Sequence, residues 1–301
     1  MSSPNATTIY TIGLVKAGFG IERQNRCSEE VCMKRFRAHY GIGPRAIHAL
    51  IIDLRACQPD RPVSLESLLM ALSWMKLYDT EEVMAGRWGY GERYCRETVR
   101  DYATRIRDLK HLKISFRGIP NGCRFLPVDT IHIRCQEFRC DPSSIWYSHK
   151  FHGPGVSFEV VMDPNLGKIR WINGPEPAST HDITFLRGGT KGNMNTWKRS
   201  SLYFHVPNNM KLVGDSAYAG QLDKVTTTMD AHKPTTKLLF ARMRSMMESC
   251  FTRLRSYRIL REAFRHGKST ADKLHKIKIA FEAVAVLVQY DCENGHPLFE
   301  P

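Results

Sequence analysis

The 301-residue chain is most informative at first for what it lacks. No stretch approaches the roughly 20 consecutive apolar residues of a membrane-spanning helix. The N-terminal segment, Met1 to Thr11, is short and polar, without the basic-then-apolar layout of a secretory signal. Cysteine forms no framework: there are nine, an odd number, and they are scattered. With no export signal they read as reduced thiols in a cytosolic or nuclear protein. Acidic residues are scarce, 30 against 44 lysines and arginines, which leaves a formal charge of +14. Internal repeats and long low-complexity segments are also missing.

What remains is a globular composition, 42% apolar, long enough for one large domain or for one large and one small. The positive excess favours a polyanionic partner, nucleic acid ahead of an acidic membrane surface.

The pattern divides into helices, then strands, then helices. Residues 1–27 read as a tail. Residues 28–115 read as a helical region. Ser28-Glu-Glu-Val opens a helix that stops at Gly41-Ile-Gly43-Pro44, and Arg45 to Arg55 forms the next. Ser64 caps a third, Leu65 to Leu77. Asp79-Thr80 caps a short fourth. A fifth runs from Glu92 to about Lys110, with Tyr94, Cys95, Val99, Tyr102, Ile106 and Leu109 at helical spacing. Residues 116–301 change character. Short β-like runs cover Phe125 to Ile133, Val156 to Met162 and Ile169 to Ile172, the last two joined at Pro164-Asn-Leu-Gly167. His181 to Leu186 reads as a short helix and Lys211 to Gly214 as a strand. Lys237 to about Cys292 is helical again, broken near Gly267.

The last three N-terminal helices are arranged like a helix-turn-helix. Arg93, Arg96, Arg100, Arg105 and Arg107 crowd the final one, which could lie in a major groove. The plainer alternative is a small bundle with a solvated basic face.

Three carboxylates stand where local structure does not ask for them. Asp129 interrupts the apolar run Leu126-Pro-Val-Asp-Thr-Ile-His-Ile133, Asp215 follows a strand in Leu212-Val-Gly-Asp-Ser-Ala-Tyr218, and Glu248 lies among methionines in Met243-Arg-Ser-Met-Met-Glu-Ser-Cys-Phe251. A strand centre, a strand end and a later helix can converge at one sheet edge. Phosphodiester cleavage needs an activated oxygen nucleophile and charge relief on the leaving oxygen, which two Mg²⁺ ions roughly 3.5–4 Å apart supply. Such ions take hard oxygen ligands. Singly, each acid has an ordinary alternative: a hydrogen-bonded strand residue, a turn cap, a solvated helix face paired with Arg244 or Arg255.

Longer stretches raise the specificity. Asp129-Thr-Ile-His, Trp146-Tyr-Ser-His-Lys-Phe-His-Gly-Pro-Gly155, Phe158-Glu-Val-Val, Ile169-Arg-Trp-Ile-Asn-Gly-Pro175 and His181-Asp-Ile-Thr-Phe-Leu186 resemble PIF/Harbinger-type transposases, which are DDE superfamily endonucleases. Asp215-Ser-Ala-Tyr218 matches that family's Asp-x-x-Tyr motif, and Glu248 through Ile259-Leu260 its acidic helix. Phe264-Arg-His266 and Glu293-Asn-Gly-His-Pro-Leu-Phe299 match its end. The resemblance covers about residues 125 to 300. It implies an α/β, ribonuclease H-like mixed sheet flanked by helices. Asp129, Asp215 and Glu248 would be catalytic ligands of two divalent ions, Mg²⁺ or Mn²⁺, with Asp182 in support. It also implies DNA as substrate, strand transfer by the freed 3′ hydroxyl, a Myb-like helper protein, assembly as an oligomer on DNA and a nuclear location.

The match has departures. Thr130 stands for the usual Gly, Ser216-Ala217 for a common Arg-Gly pair, and Met247 where close relatives often carry His. They keep open a second reading, a domesticated relative that binds DNA or a partner without cutting. Zinc is disfavoured: Cys135 and Cys140 have His132 nearby, but no second Cys/His pair follows. His149, His152 and His181 fall near the expected active edge and read as surface or hydrogen-bonded residues. The C-terminal helices are strongly basic, and Arg244 and Arg255 join Arg93, Arg96 and Arg100 as candidate DNA contacts.

Overall fold

The computed structural model describes residues 4–120, 122–138, 143–190 and 192–299. Helices occupy the first third: α1 (Ala6–Lys16), α2 (Ile21–Asn25), α3 (Glu29–Tyr40), α4 (Pro44–Cys57), α5 (Leu65–Leu77), α6 (Glu81–Trp88), α7 (Glu92–Asp108) and α8 (Lys110–Lys113). Local chemistry sets most of their ends. Ser28, Ser64 and Thr80 each accept a backbone N–H of the first turn of α3, α5 and α6. Gly41 closes α3 at φ 81°, and a side chain there would collide with the ring of Tyr257. The segment before Ser28, read as a tail, carries two helices, the first capped by the Asn5 carboxamide at 2.8 Å from Thr8 N.

Helix α5 is buried continuously from Ser67 to Met75 and is the centre on which α3 and α7 pack. Helix α7 turns Cys95, Val99, Tyr102 and Ile106 inward as its spacing predicts, whereas Tyr94, expected on the same face, is exposed. These helices, with Leu254–Arg261 and Ile279–Pro297, form one compact unit. Within it, the buried carboxylate of Asp291 accepts Arg37 at 2.6 Å and the Gly43 N–H at 2.9 Å. No described helix is long and apolar enough to cross a membrane.

The second compact unit holds Ile114–Arg253, Glu262–Lys278 and Leu298–Pro301. Its strands are β1 (Phe125–Arg134), β2 (Tyr147–Ser148), β3 (Gly153–Asp163), β4 (Lys168–Pro177), β5 (Lys211–Gly214) and β6 (Val225–Thr227). They lie in the order β4-β3-β1-β5-β6, with β2 paired to the start of β3. β1, β3 and β4 run antiparallel, while β1, β5 and β6 run parallel. This is the mixed α/β sheet that the family resemblance implies. β2 and β6, two and three residues long, are too short to give a period. Helix α9 (Asp182–Arg187) lies between β4 and β5, and α10 (Pro234–Arg255), α11 (Arg258–Arg261) and α12 (Thr270–Glu293) follow the last strand.

The β3–β4 turn is fixed by Asp163, whose carboxylate accepts Asn165 N and Leu166 N at 3.0 and 3.3 Å and pairs with buried Arg170 at 2.7 Å. On the sheet, Leu126, Val128, Val161, Leu186, Leu202, Leu212 and Tyr218 form one apolar cluster. Gly214 meets the ring of Tyr218 so closely that no Cβ would fit, so Tyr218 folds back beneath the end of β5.

Candidate active site

The parallel pairing of β1 and β5 explains why two distant aspartates meet. Pro127 is in register with Val213, so Asp129 and Asp215 each come two residues beyond the same rung. Paired strands lie about 4.8 Å apart. The third acid comes from α9, whose first residue is Asp182. Arg187, buried at the other end of that helix, reaches the loop after Asp215: its Nε donates to Gln221 Oε1 and its Nη2 to Gly220 O, both at 2.8 Å.

Each aspartate has one oxygen held. Asp129 Oδ1 accepts Thr130 N at 2.7 Å, and Asp215 Oδ1 accepts Ala217 N at 2.8 Å as the cap of a single 3₁₀ turn. Asp182 Oδ1 accepts the Thr130 hydroxyl at 2.8 Å. Thr130 is 2% exposed, and its β-branched side chain therefore links the strand of Asp129 to the helix of Asp182.

Burial pushes the Asp129 carboxyl up to about 6; the Lys150 ammonium and the Thr130 N–H pull it back, and the charges of Asp215 and Asp182 push it up further. Asp182 is raised as well, by burial first, against the pull of the Thr130 hydroxyl and Lys150, with Asp215 pushing upward. Like charges held together and partly desolvated are the arrangement a divalent cation would relieve. The donor set is of the right kind, hard carboxylate oxygens with no soft ligand among them. Among the described residues, no three His, Cys, Asp or Glu side chains already converge into a cage. The fit is thus one of donor chemistry.

Glu248 is exposed on α10, whose buried face is Phe240, Met243, Met247, Cys250, Phe251 and Leu254, and it is not among the charges that act on Asp129 or Asp182. Arg244 lies one turn earlier, also exposed.

The arginines of the helical unit are largely engaged. Arg96 pairs with Glu81 at 2.9 Å, Arg100 approaches the same carboxylate at 3.9 Å, and Arg93 pairs with Glu97 at 2.8 Å. Arg105 is 2% exposed and donates to Gln58 Oε1, Arg61 O and Pro62 O, so it is a structural residue and not part of a basic face. Arg255 is exposed on α10. His149, His152 and His181 are exposed. Cys135 is a buried free thiol, and Cys140 lies outside the described residues.

Sequence reasoning missed four residues of the site. Lys150 acts on both Asp129 and Asp182. Thr130 was read only as a departure. Arg187 and Glu159 were passed over. Alternation could have flagged Glu159, a charged residue inside the apolar run Val156–Met162.

A family profile described as DDE superfamily endonuclease matches residues 128–289, more than half of the chain. No curated protein matches the sequence. Among solved structures, the chain is similar to one titled "Crystal structure of a pre-cleavage Mos1 transpososome", at 10% identity over 99% of each chain and a TM-score of 0.19. A likeness that slight carries no structural inference.

Proposed function

Since the chain belongs to the DDE superfamily endonucleases, we propose that it is a transposase-type DNA nuclease of the PIF/Harbinger kind. Its site would be the sheet edge carrying Asp129, Asp182 and Asp215. The observation behind the reading is the juxtaposition of these three aspartates, with the carboxyl of Asp129 pushed up to about 6 by burial and by its neighbours. A structural carboxylate is normally given a cation or several donors; here Asp129 has Lys150 but also the opposing charges of Asp215 and Asp182.

In this reading Asp129 and Asp215 hold metal with their free oxygens, and Asp182, oriented by Thr130, supports them from α9. Two bound divalent ions would supply charge relief at the scissile phosphate and leaving oxygen and activate the attacking water. Lys150, exposed beside Asp129 and Asp182, meets a phosphate oxygen of the entering strand. Glu248 holds its place as third catalytic acid by its motif on α10. DNA is the substrate; Arg93, Arg96, Arg100, Arg244 and Arg255 contact its backbone. Assembly on DNA with a second copy, a Myb-like helper and a nuclear location belong to the same reading.

The test is nicking of supercoiled DNA in Mg²⁺ or Mn²⁺ by wild type, Asp129→Ala, Asp215→Ala and Glu248→Ala. Each substitution is expected to lower the rate by at least about 10³-fold, the loss of several kcal/mol of metal-borne stabilisation. Equal activity in all four proteins sinks the triad. Full DNA binding with no cleavage by wild type in either metal supports the domesticated reading, which the Thr130, Ser216-Ala217 and Met247 departures motivate.

A further inference from the structure

Beside Thr130, which holds Asp182, lies a second set of buried polar groups. Glu159 of β3 is the cross-strand partner of Thr130, so the two side chains stand on the same face of the sheet. Thr130 is the residue that holds Asp182. The Glu159 carboxyl is 0% exposed, and neither oxygen has a hydrogen-bond partner. The indole N–H of Trp171, two residues from the β4 partner of Glu159, is directed at that carboxyl without closing on it, and the indole nitrogen is itself buried without a partner. The third group with an unpartnered buried atom is Tyr218, whose hydroxyl, also 0% exposed, feels the charges of Glu159, Asp182, Asp129 and Asp215, in that order.

Buried polar atoms without partners are costly, and natural folds keep few of them. This trio is chemically complementary: an indole donor, a phenolic donor and a carboxyl that can accept both. The geometry points to one arrangement. We propose that Glu159 is a positioning residue for the acid cluster: it gathers the Trp171 and Tyr218 donors into a hydrogen-bonded floor that fixes Asp182 and the Asp215 turn in their metal-holding orientation. Groups behind metal ligands govern affinity by orienting them, and their loss costs about 10–100-fold in binding. Tyr218 is suited to transmit the effect, since it lies three residues from Asp215 with its ring packed against Gly214. Burial, together with the charge of Asp182, pushes the Glu159 carboxyl well above the usual carboxylate range, so the same position should accept a neutral amide.

The inference rests on the nuclease reading for its metal, and the experiment separates the two. Mn²⁺ binding is measured by water-proton relaxation, and the five tryptophan indole N–H signals by ¹H–¹⁵N NMR, with Trp171→Phe identifying the Trp171 signal. Glu159→Leu is expected to weaken Mn²⁺ binding about tenfold and to move the Trp171 signal. Glu159→Gln, which keeps size and hydrogen bonding, is expected to restore affinity to within about threefold of wild type and to leave the signal near its original place. A Trp171 signal unmoved by Glu159→Leu, or a Glu159→Gln protein as impaired as Glu159→Leu, overturns the proposal. Should Glu159→Leu not fold, Tyr218→Phe decides: about threefold weaker Mn²⁺ binding supports the floor, and wild-type affinity overturns it. If wild type binds no Mn²⁺, the nuclease reading fails and the indole signal alone judges the floor.

Discussion

The helical unit and the α/β unit treat charge in opposite ways. On α7, arginines meet acids within reach: Arg96 with Glu81, Arg93 with Glu97, Arg107 with Asp108. Arg105 is buried with three oxygen acceptors. In the α/β unit, Asp129, Asp182 and Asp215 act on one another, with Lys150 offsetting Asp129 and Asp182 and His181 offsetting Asp182. Exposed ion pairs stabilise little and are satisfied without a ligand. Like charges drawn together in a partly dry site oppose folding, and a proton or a bound cation would relieve them. The basic helix, conspicuous in sequence, is thus electrostatically quieter than the acid cluster, which is spread over 86 residues of sequence between Asp129 and Asp215.

The comparison breaks most decisively at the acids. Asp129→Ala or Asp215→Ala should abolish metal-dependent nicking, a loss of at least about 10³-fold. Substituting Arg93 or Arg96 should leave the chemical step unchanged at saturating DNA. A cleavage rate that falls more with an arginine than with an aspartate would reverse the contrast.

Stability supplies the next test. Arg105→Ala leaves Gln58 and two backbone carbonyls without their donor and should cost about 2–3 kcal/mol in urea unfolding. Arg93→Ala, on the exposed side of the same helix, should leave the midpoint where it is. Similar midpoints for both variants would mean that Arg105 is not the internal strut its contacts describe.

A smaller effect, of opposite sign, belongs to Asp129. Its carboxyl is raised on folding from the ordinary range to about 6. A raised folded value means that stability is fully present below the unfolded value and is lost as pH rises through the folded one. Metal-free wild type should therefore lose stability between about pH 4 and 6 relative to Asp129→Asn, by about 2 kcal/mol after allowance for partial exposure. Tm measured in chelator across that range checks it, and added Mg²⁺ should narrow the gap at neutral pH. A gap that does not change with pH removes the claim that Asp129 is held in an unfavourable charged state.

The smallest effect lies on α10. Arg244→Ala should weaken non-specific DNA binding uniformly across sequences and reduce the salt slope by about one unit. An unchanged slope would take Arg244 out of the DNA-contacting set.

Much of the fold is legible because its signals are local. Ser28, Ser64 and Thr80 are caps with short-range partners, and Leu65–Leu77 begins and ends where propensity and spacing place it. The strand runs around Asp129 and before Asp215 were visible for the same reason. The roles of Thr130, Lys150, Arg187 and Glu159 were not, since each acts on a residue distant in sequence or on another element. Thr130 looks like a departure from a motif until its hydroxyl is seen on Asp182, 52 residues away. Arg187 belongs to an ordinary short helix until its guanidinium is followed to Gln221 and Gly220.

By itself, then, the sequence determined which residue types were on offer and where most of the longer helices and strands would lie: periodicity and capping depend on neighbours a few positions apart. It also carried the stretches whose resemblance to a family made Asp129, Asp215 and Glu248 the candidate acids. Only the tertiary structure decided which acids meet. Parallel register brings Asp129 beside Asp215, and Thr130 brings in Asp182, while Glu248 stays on the exposed side of its helix. Charge coupling depends on distance through the folded chain, and that distance exists only once the strands have paired.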